Sequence, residues 1–370
     1  MKIRFLTQDD VAEHNKVSSQ AFVYACEVDD PTSVLPCPKV LGAFDDDGKT
    51  LLADFELQER VCHYDGGLLT CAAIGGVACK PEYRGKGAVT ALFQHLFREK
   101  QYDISILYPF SEPYYRRLGY ERVGCSLSVT VPFSGLSHVP RNQDAALYEG
   151  GDPAGLLAAY NRCAERYNLC FVRETPEAFP DRPYASQRFT FLWKNRSFAT
   201  LSVDRGKSTV FVDELYFDSC ESMLGILGFL RNFEANQTHV CFRKLPANTP
   251  LLGFIQDMKQ CDIRLHNTGA ARILNVEAVL KAHRYPPQDG AFTVGIGEKT
   301  YRVTHTAEGV TVDVGSRLTP EVSMEIGLAS QILLCGLTDA AFCPGLTVQD
   351  PASDFLRSFP PKTTFFSDSL

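Results

Sequence analysis

An apolar run at residues 68–77 leads into Cys79-Lys80-Pro81-Glu82-Tyr83-Arg84-Gly85-Lys86-Gly87, and beyond it apolar side chains fall at Val89, Leu92, Phe93, Leu96 and Phe97. The run is apolar enough for a central strand, and the later spacing of i, i+3, i+4, i+7, i+8 predicts a helix with one buried stripe. The glycine-rich segment therefore opens a helix directly after a buried strand. Such a junction sets successive backbone N–H groups of Arg84-Gly85-Lys86-Gly87 at the positive end of a helix dipole, an arrangement suited to a pyrophosphate. Glycine lets the backbone approach closely. The same strand, turn and helix also occur as a plain connection, so the segment alone leaves both readings open.

The flanking sequence predicts a strand at 2–6, an amphipathic helix at 11–26, and strands at 40–44 and 51–58 joined by the turn Asp45-Asp46-Asp47-Gly48. A buried strand at 104–108, a short helix at 114–117 closed by Gly119, and a strand at 126–131 follow. Mixed strands and helices in this order describe an α/β (α+β) domain over residues 1–133. At 370 residues the chain is too long for one ordinary core. A second unit, 134–269, is expected to hold a helix at 153–167, strands at 189–193, 199–203 and 210–217, a helix at 221–233 and a strand at 239–242. That order reads as a degenerate repeat of the first unit without a glycine-rich helix entry, so no cofactor is assigned to it. A third unit, 270–370, is expected to open with a strand at 271–276 and a helix at 277–283. Strands at 291–296, 300–305 and 309–314 and helices at 324–335 and 350–359 come after them.

Charge and cysteine usage exclude several function classes. Lys plus Arg total 37 against 44 for Asp plus Glu, and a net charge of −7 disfavours a nucleic-acid partner. The N-terminus MKIRFLTQDD meets charged residues at once, and no run approaches the roughly 20 apolar residues of a membrane span, which reads as a cytoplasmic protein. The thirteen cysteines are scattered, odd in number and free of CxxC pairs, which reads as buried thiols. The eight histidines show no metal-ligand spacing, and no metal is expected.

The strand, the Pro81 turn, the helix and the later Ser111-Glu112-Pro113-Tyr114-Tyr115-Arg116-Arg117-Leu118-Gly119-Tyr120 together resemble the GNAT acetyltransferase superfamily. Its signature R/Q-x-x-G-x-G/A is matched by Arg84 and Gly87, with Val89 where a small residue is usual. The resemblance implies acetyl-CoA as co-substrate, held by Arg84, Gly85, Lys86, Gly87, Ala88, Val89 and Thr90. Backbone groups of Val77, Ala78 and Cys79 would pair with the pantetheine arm as an added strand does, and Ser111 and Glu112 belong to the same cofactor site. Tyr115, four residues before Gly119, would be the general acid for the departing thiolate. A phenol of pKa about 10 is a weaker acid than a thiol of about 8.5, so hydrogen bonding carries part of that role.

The three-part layout resembles the Eis (enhanced intracellular survival) family, in which a GNAT domain is followed by a degenerate GNAT domain and a C-terminal domain similar to sterol carrier proteins. The opening Ala271-Arg272-Ile273-Leu274-Asn275-Val276-Glu277-Ala278-Val279-Leu280 and the ending Phe366-Ser367-Asp368-Ser369-Leu370 carry that likeness. It implies acetylation of amines on small molecules or peptides, namely aminoglycoside-like compounds, polyamines or lysine side chains. A homo-hexamer of paired trimers and a general base formed by the terminal carboxylate of Leu370 are also implied. A terminal carboxylate of pKa about 3.5 needs burial or a water relay to serve an ammonium. Two other readings stay open: transfer from a longer acyl-CoA, and a non-enzymatic protein whose C-terminal domain binds a lipid or other apolar ligand. For the latter, Phe292, Val294, Ile296, Leu328 and Leu333 would suit a pocket or an ordinary core equally well.

Overall fold

The strands that carry the glycine-rich junction begin as an antiparallel meander: β1 (Lys2–Phe5), β2 (Val40–Phe44), β3 (Leu51–Tyr64) and β4 (Gly67–Cys79). Their description comes from a computed structural model, which describes residues 1–368 apart from 29, 31, 100, 177–178, 180–182 and 316–317. The β3–β4 hairpin turns on Asp65 and Gly66, both at positive φ (50° and 83°), the Asp-Gly pair that tight two-residue hairpins favour. With that turn in place β3 runs to Tyr64, well past the expected end at 58.

Helix α1 (Val11–Phe22) stops earlier than the 11–26 expected from its pattern, because Val23 takes a left-handed φ of 55°. Helix α2 (Ala88–Glu99) follows the glycine-rich segment and returns the chain to β5 (Ile104–Leu107), parallel to β4. Its stripe of Leu92, Phe93 and Leu96 packs on Phe55, Leu57, Ala72 and Ile74. Helix α3 (Glu112–Arg116) then leads to β6 (Glu121–Pro132).

The second unit contributes β7 (Ala145–Leu147), β8 (Phe189–Trp193), β9 (Ser197–Asp204), β10 (Thr209–Phe217) and β11 (His239–Pro246), with helix Cys220–Leu230 linking the parallel pair β10 and β11. The antiparallel pair β9–β10, the helix and β11 repeat the order of β3, β4, α2 and β5. In the repeat, the helix is entered through Ser219, whose side chain accepts from the Ser222 N–H, so its N-terminus is capped from within.

Strand β12 (Asp262–Ile273) decides the topology. Among the described residues twelve strands form one sheet in the order β1-β2-β3-β4-β5-β12-β6-β11-β10-β9-β8-β7. β12 lies antiparallel to both β5 and β6, and β6 pairs with β11 to join the two halves. The segment expected to open the third unit at 271 is thus the end of a strand that completes the first unit's sheet.

The remaining chain forms a five-stranded sheet, β15-β14-β13-β16-β17, from β13 (Gly290–Ile296), β14 (Lys299–Thr306), β15 (Gly309–Val314), β16 (Val322–Met324) and β17 (Thr347–Val348). Its Phe292, Val294 and Ile296, with Leu333 of helix Ile326–Cys335, share a core with Cys62, Tyr64, Cys71, Ala73, Ile104 and Ile106. Because alternate residues of β4 point to opposite faces, this core lies on the side of the sheet away from α2. A helix expected at 350–359 is reduced to Phe355–Ser358. Among the described residues no helix is long and apolar enough to cross a membrane, and no group of three or more His, Cys, Asp or Glu residues could hold a metal.

The C-terminal segment is anchored by a buried ion cluster. Lys362 Nζ donates to Asp65 Oδ2 at 2.6 Å, to the Tyr64 hydroxyl at 3.2 Å and to the Leu333 carbonyl at 3.2 Å, while Asp65 Oδ2 also faces His283 Nδ1 at 2.6 Å. Burial opposes the Asp65 charge, but the His283 and Lys362 contacts and the Asn168 amide outweigh it and hold the carboxyl below its ordinary range. Asp65→Asn strands the Lys362 ammonium and is expected to cost about 3 kcal/mol, read as a lower urea midpoint. A depressed carboxylate stabilises the fold above its unfolded pKa, so the gap between wild type and variant should close as pH falls below about 4.

Candidate active site

Between β3 and β4 the register slips by one residue. Glu56 faces Gly75 and Asp54 faces Ala78, so β4 carries an extra residue there, and Gly76 sits in it at φ 56°. A Cβ on Gly76 would lie 2.4 Å from Glu56 Oε1, which leaves glycine as the residue that fits. A bulge of this kind bends its strand and increases the local twist. β4 pairs with β5 from Cys71 opposite Ile104 to Ile74 opposite Leu107, where β5 ends. Residues 75–79 stay bonded to β3 on one side, and on the other no described strand pairs with them. That free strand edge is a template for an extended, amide-bearing ligand.

The open edge runs into the glycine-rich turn. Gly85 and Gly87 both take positive φ (76° and 85°), and a Cβ at either would meet no atom within 4 Å, so the backbone there is accessible. Arg84 and Lys86 turn their N–H groups back onto the Pro81 and Tyr83 carbonyls. Those of Gly85, Gly87, Ala88, Val89 and Thr90 have no acceptor among the described residues. These are the orphan donors of a helix N-terminus, where the helix dipole adds to the attraction for an anion.

Edge and turn line one cavity of about 730 Å³. Of the residues expected at a cofactor site, Val77, Ala78, Cys79, Arg84, Gly85, Gly87, Ala88, Val89 and Thr90 are on its wall. Lys86 is not; its ammonium lies over the Tyr83 ring at 4.6 Å. Ser111 and Glu112 are also off the wall, and Glu112 is committed to Arg116 at 3.2 Å and to the Asn267 amide. Ala21, Phe22, Tyr83, Phe110, Tyr114 and Arg117 complete the wall. Sequence reading missed them; in the fold Phe22 and Phe110 stand out as apolar side chains 54% and 75% exposed.

The two tyrosines of α3 diverge. Tyr115 is 2% exposed, edge-on to Phe93, Phe110 and Tyr120, and its hydroxyl has no hydrogen-bond partner among the described residues. Burial, with the neighbouring Tyr114 phenol, pushes its pKa up. Tyr114 is the residue on the cavity wall, half-buried, and raised by burial and by the Cys79 thiol. Both phenols hold their protons at neutral pH.

A second cavity of about 820 Å³ is bounded by Gln58 and Arg60 of β3, Asp213 and Glu214 of β10, Arg243 and Lys244 of β11, Arg173, and Ser367 and Asp368 of the tail. Arg173 is 5% exposed along its side chain, ion-paired with Glu214 and Asp368, and stacked 3.9 Å above the Tyr160 ring. The tail passes through Phe365 and Phe366, both buried, to Asp368, whose carbonyl accepts from the Tyr108 hydroxyl at 2.6 Å just beyond the end of β5. Lys244 Nζ holds the Ser367 carbonyl at 2.9 Å. Leu370 lies outside the described residues.

A parallel strand pair that opens beyond a bulge, with a bare helix N-terminus across the gap, fits a nucleotide-linked acyl carrier. Residues 2–123 match the family model described as an acetyltransferase (GNAT) domain, so the first third of the chain carries a domain of that class. The whole chain superposes on solved structures of similar length. A protein from Enterococcus faecalis described as a probable N-acyltransferase matches with a TM-score of 0.83 at 17% identity, covering 100% of this chain and 99% of its own. Eis1 from Mycobacterium abscessus matches at 0.80 and 18% identity, covering 100% of both chains. A GCN5-related N-acetyltransferase from Anabaena variabilis matches at 0.82 and 17% identity, again over 100% of both. At these identities the likeness establishes the mixed α/β fold over the full length. No curated protein sequence matches the chain.

Gly76→Ala meets both a left-handed φ and the Glu56 carboxylate, and is expected to lower stability by about 2 kcal/mol. Gly85→Ala meets the φ alone and should cost about 1 kcal/mol. Paired urea titrations of the two variants check that ordering.

Proposed function

We propose that the chain is an acetyl-CoA-dependent N-acetyltransferase that acts by direct attack of an amine on the thioester. The observation that carries this reading is the single cavity in which the unpaired edge of residues 75–79 meets the free N–H groups of Gly85, Gly87, Ala88, Val89 and Thr90. The edge suits the amides of pantetheine, the N–H groups suit the pyrophosphate, and the Arg84 guanidinium adds charge complementarity. The second cavity, whose wall carries Asp213, Glu214 and Asp368, offers room for an acceptor such as an aminoglycoside-like compound, a polyamine or a lysine-bearing peptide.

In this reading the amine nitrogen bonds to the acetyl carbon, the C–S bond breaks, and the thiolate of CoA departs. Tyr115 is the general acid chosen by its place four residues before Gly119. Its raised pKa makes it a donor that stabilises the thiolate by hydrogen bonding more than by full proton transfer. Tyr114, one residue away on the wall, is the alternative donor. The resemblance assigns the base to the terminal carboxylate of Leu370, and the docking of Lys362, Phe365, Phe366 and Asp368 supports a tail that reaches this region. The cytoplasmic location, the hexamer of paired trimers and the sterol-carrier-like character of the C-terminal domain remain part of the proposal. Burial of Phe292, Val294, Ile296 and Leu333 in a core shared with the first unit favours a packing role for them over a lipid pocket.

CoA release measured with acetyl-CoA and a panel of spermidine, kanamycin and a lysine peptide tests the assignment. Tyr115→Phe is expected to lower kcat about 100-fold with acetyl-CoA affinity unchanged, and Tyr114→Phe by less. The reverse order moves the acid to the wall tyrosine. Failure of wild type to bind acetyl-CoA ends the acetyltransferase reading.

A further inference from the structure

The wall of the larger cavity runs against the charge of the chain as a whole, which is net −7. It holds five cationic side chains, Arg60, Arg173, Arg188, Arg243 and Lys244, against four carboxylates. Three of those carboxylates are engaged by the wall's own arginines. Asp213 bridges Arg188 at 3.3 Å and Arg243 at 2.7 Å, while Glu214 and Asp368 both close on Arg173. The fourth, Glu174, is exposed. A polycationic acceptor would have to draw these carboxylates away from their arginines, and the deepest of those, Arg173, would be left as a buried charge without its partners.

Two cations are left over. Arg60 gives Nη2 to the Gln58 amide oxygen at 2.7 Å, and Lys244 gives Nζ to the Ser367 carbonyl at 2.9 Å, but neither forms an ion pair with any described residue. The hydrogen-bond inventory points the same way. Arg60 Nε, Arg173 Nη1 and Glu214 Oε2 are buried polar atoms with no partner among the described residues, and all three belong to this one wall. Arg173 is more than nine-tenths buried, where an unmade N–H is costly unless a ligand or water meets it. Two guanidinium donors and one carboxylate acceptor complement a molecule that presents a carboxylate and an N–H together, and the planar guanidinium is shaped for a carboxylate.

We infer that the acceptor is an amine that also carries a carboxylate, an amino acid or short peptide with a free C-terminus, and that Arg60 binds that carboxylate. The inference rests on the acetyltransferase reading and narrows its acceptor, setting aside polycationic amines. Lys244 adds charge complementarity, Arg173 Nη1 is a second donor, and Glu214 Oε2 accepts an N–H of the same molecule. The cavity of about 820 Å³ has room for a ligand of that size.

Matched acceptors test this with acetyl-CoA: lysine against lysinamide, and phenylalanine against phenylalaninamide, beside spermidine, kanamycin and O-phosphoethanolamine. Amidation lowers the pKa of the amine and so raises its intrinsic reactivity at neutral pH; a preference for the acid runs against that trend. Wild type is expected to favour each acid over its amide by about 10-fold or more in kcat/KM. Arg60→Gln should remove that preference through a raised KM for the acids, with the amides within twofold of wild type. Arg60→Glu should shift the preference toward spermidine. Calorimetric binding of acetyl-CoA near the wild-type Kd shows that each variant is folded. Equal turnover of acid and amide by wild type overturns the inference, as does preference for spermidine or kanamycin. An equal loss on acids and amides in Arg60→Gln means that Arg60 serves the chain itself and also overturns it. Preference for O-phosphoethanolamine replaces the carboxylate with a phosphate and overturns the assignment. Acetyl-CoA binding without turnover of any carboxylate-bearing amine overturns the inference alone, whereas absence of acetyl-CoA binding by wild type ends the underlying reading and this inference with it.

Discussion

The one-residue slip between β3 and β4 sets the shape of the first unit's open edge. One extra residue in β4 makes a bulge, and Gly76 occupies it at a left-handed φ that residues with a side chain rarely adopt. β4 pairs with β5 only as far as Ile74 opposite Leu107, where β5 ends, and the backbone edge of residues 75–79 has no described strand on that side. That edge and the glycine-rich turn line one cavity, with Tyr114 on its wall.

The two units that share the order strand, strand, helix, parallel strand differ in how each helix is entered. At α2, left-handed glycines lift the backbone clear and leave several N–H groups facing a cavity. At helix Cys220–Leu230, Ser219 caps the N-terminus from within the chain. The same succession of strand, helix and parallel strand thus presents open N–H groups in one copy and a capped terminus in the other. β12, reached only after the second unit, fills the slot between β5 and β6 of the first, and the β6–β11 pair joins the two halves. Neither half of the large sheet is complete in sequence order.

The tail binds all three regions of the chain. Lys362 is fixed by Asp65 of the first hairpin and Leu333 of the C-terminal region, Phe366 lies in their shared core, and Asp368 joins Arg173, Glu214 and Tyr108. Charges this deep are stabilised only while every partner is present. The end of the chain is thereby coupled to the region where β4 and β5 separate.

What the sequence determined by itself was local. The stripe of α2, the glycines that enter it, the short strands at 40–44 and 189–193 and the turn at Gly119 depend on spacing and backbone preference within about ten residues, and these were legible. So were nine of the residues on the wall of the smaller cavity, because they are contiguous with that turn on either side. The partner of β12, the one-residue slip at Gly76, the lip formed by Ala21, Phe22 and Phe110, and the second cavity with Arg173 and the tail were decided only by tertiary structure. Each joins residues far apart in the chain, and hydrophobic periodicity states that a strand has a buried face without stating which strand will lie beside it.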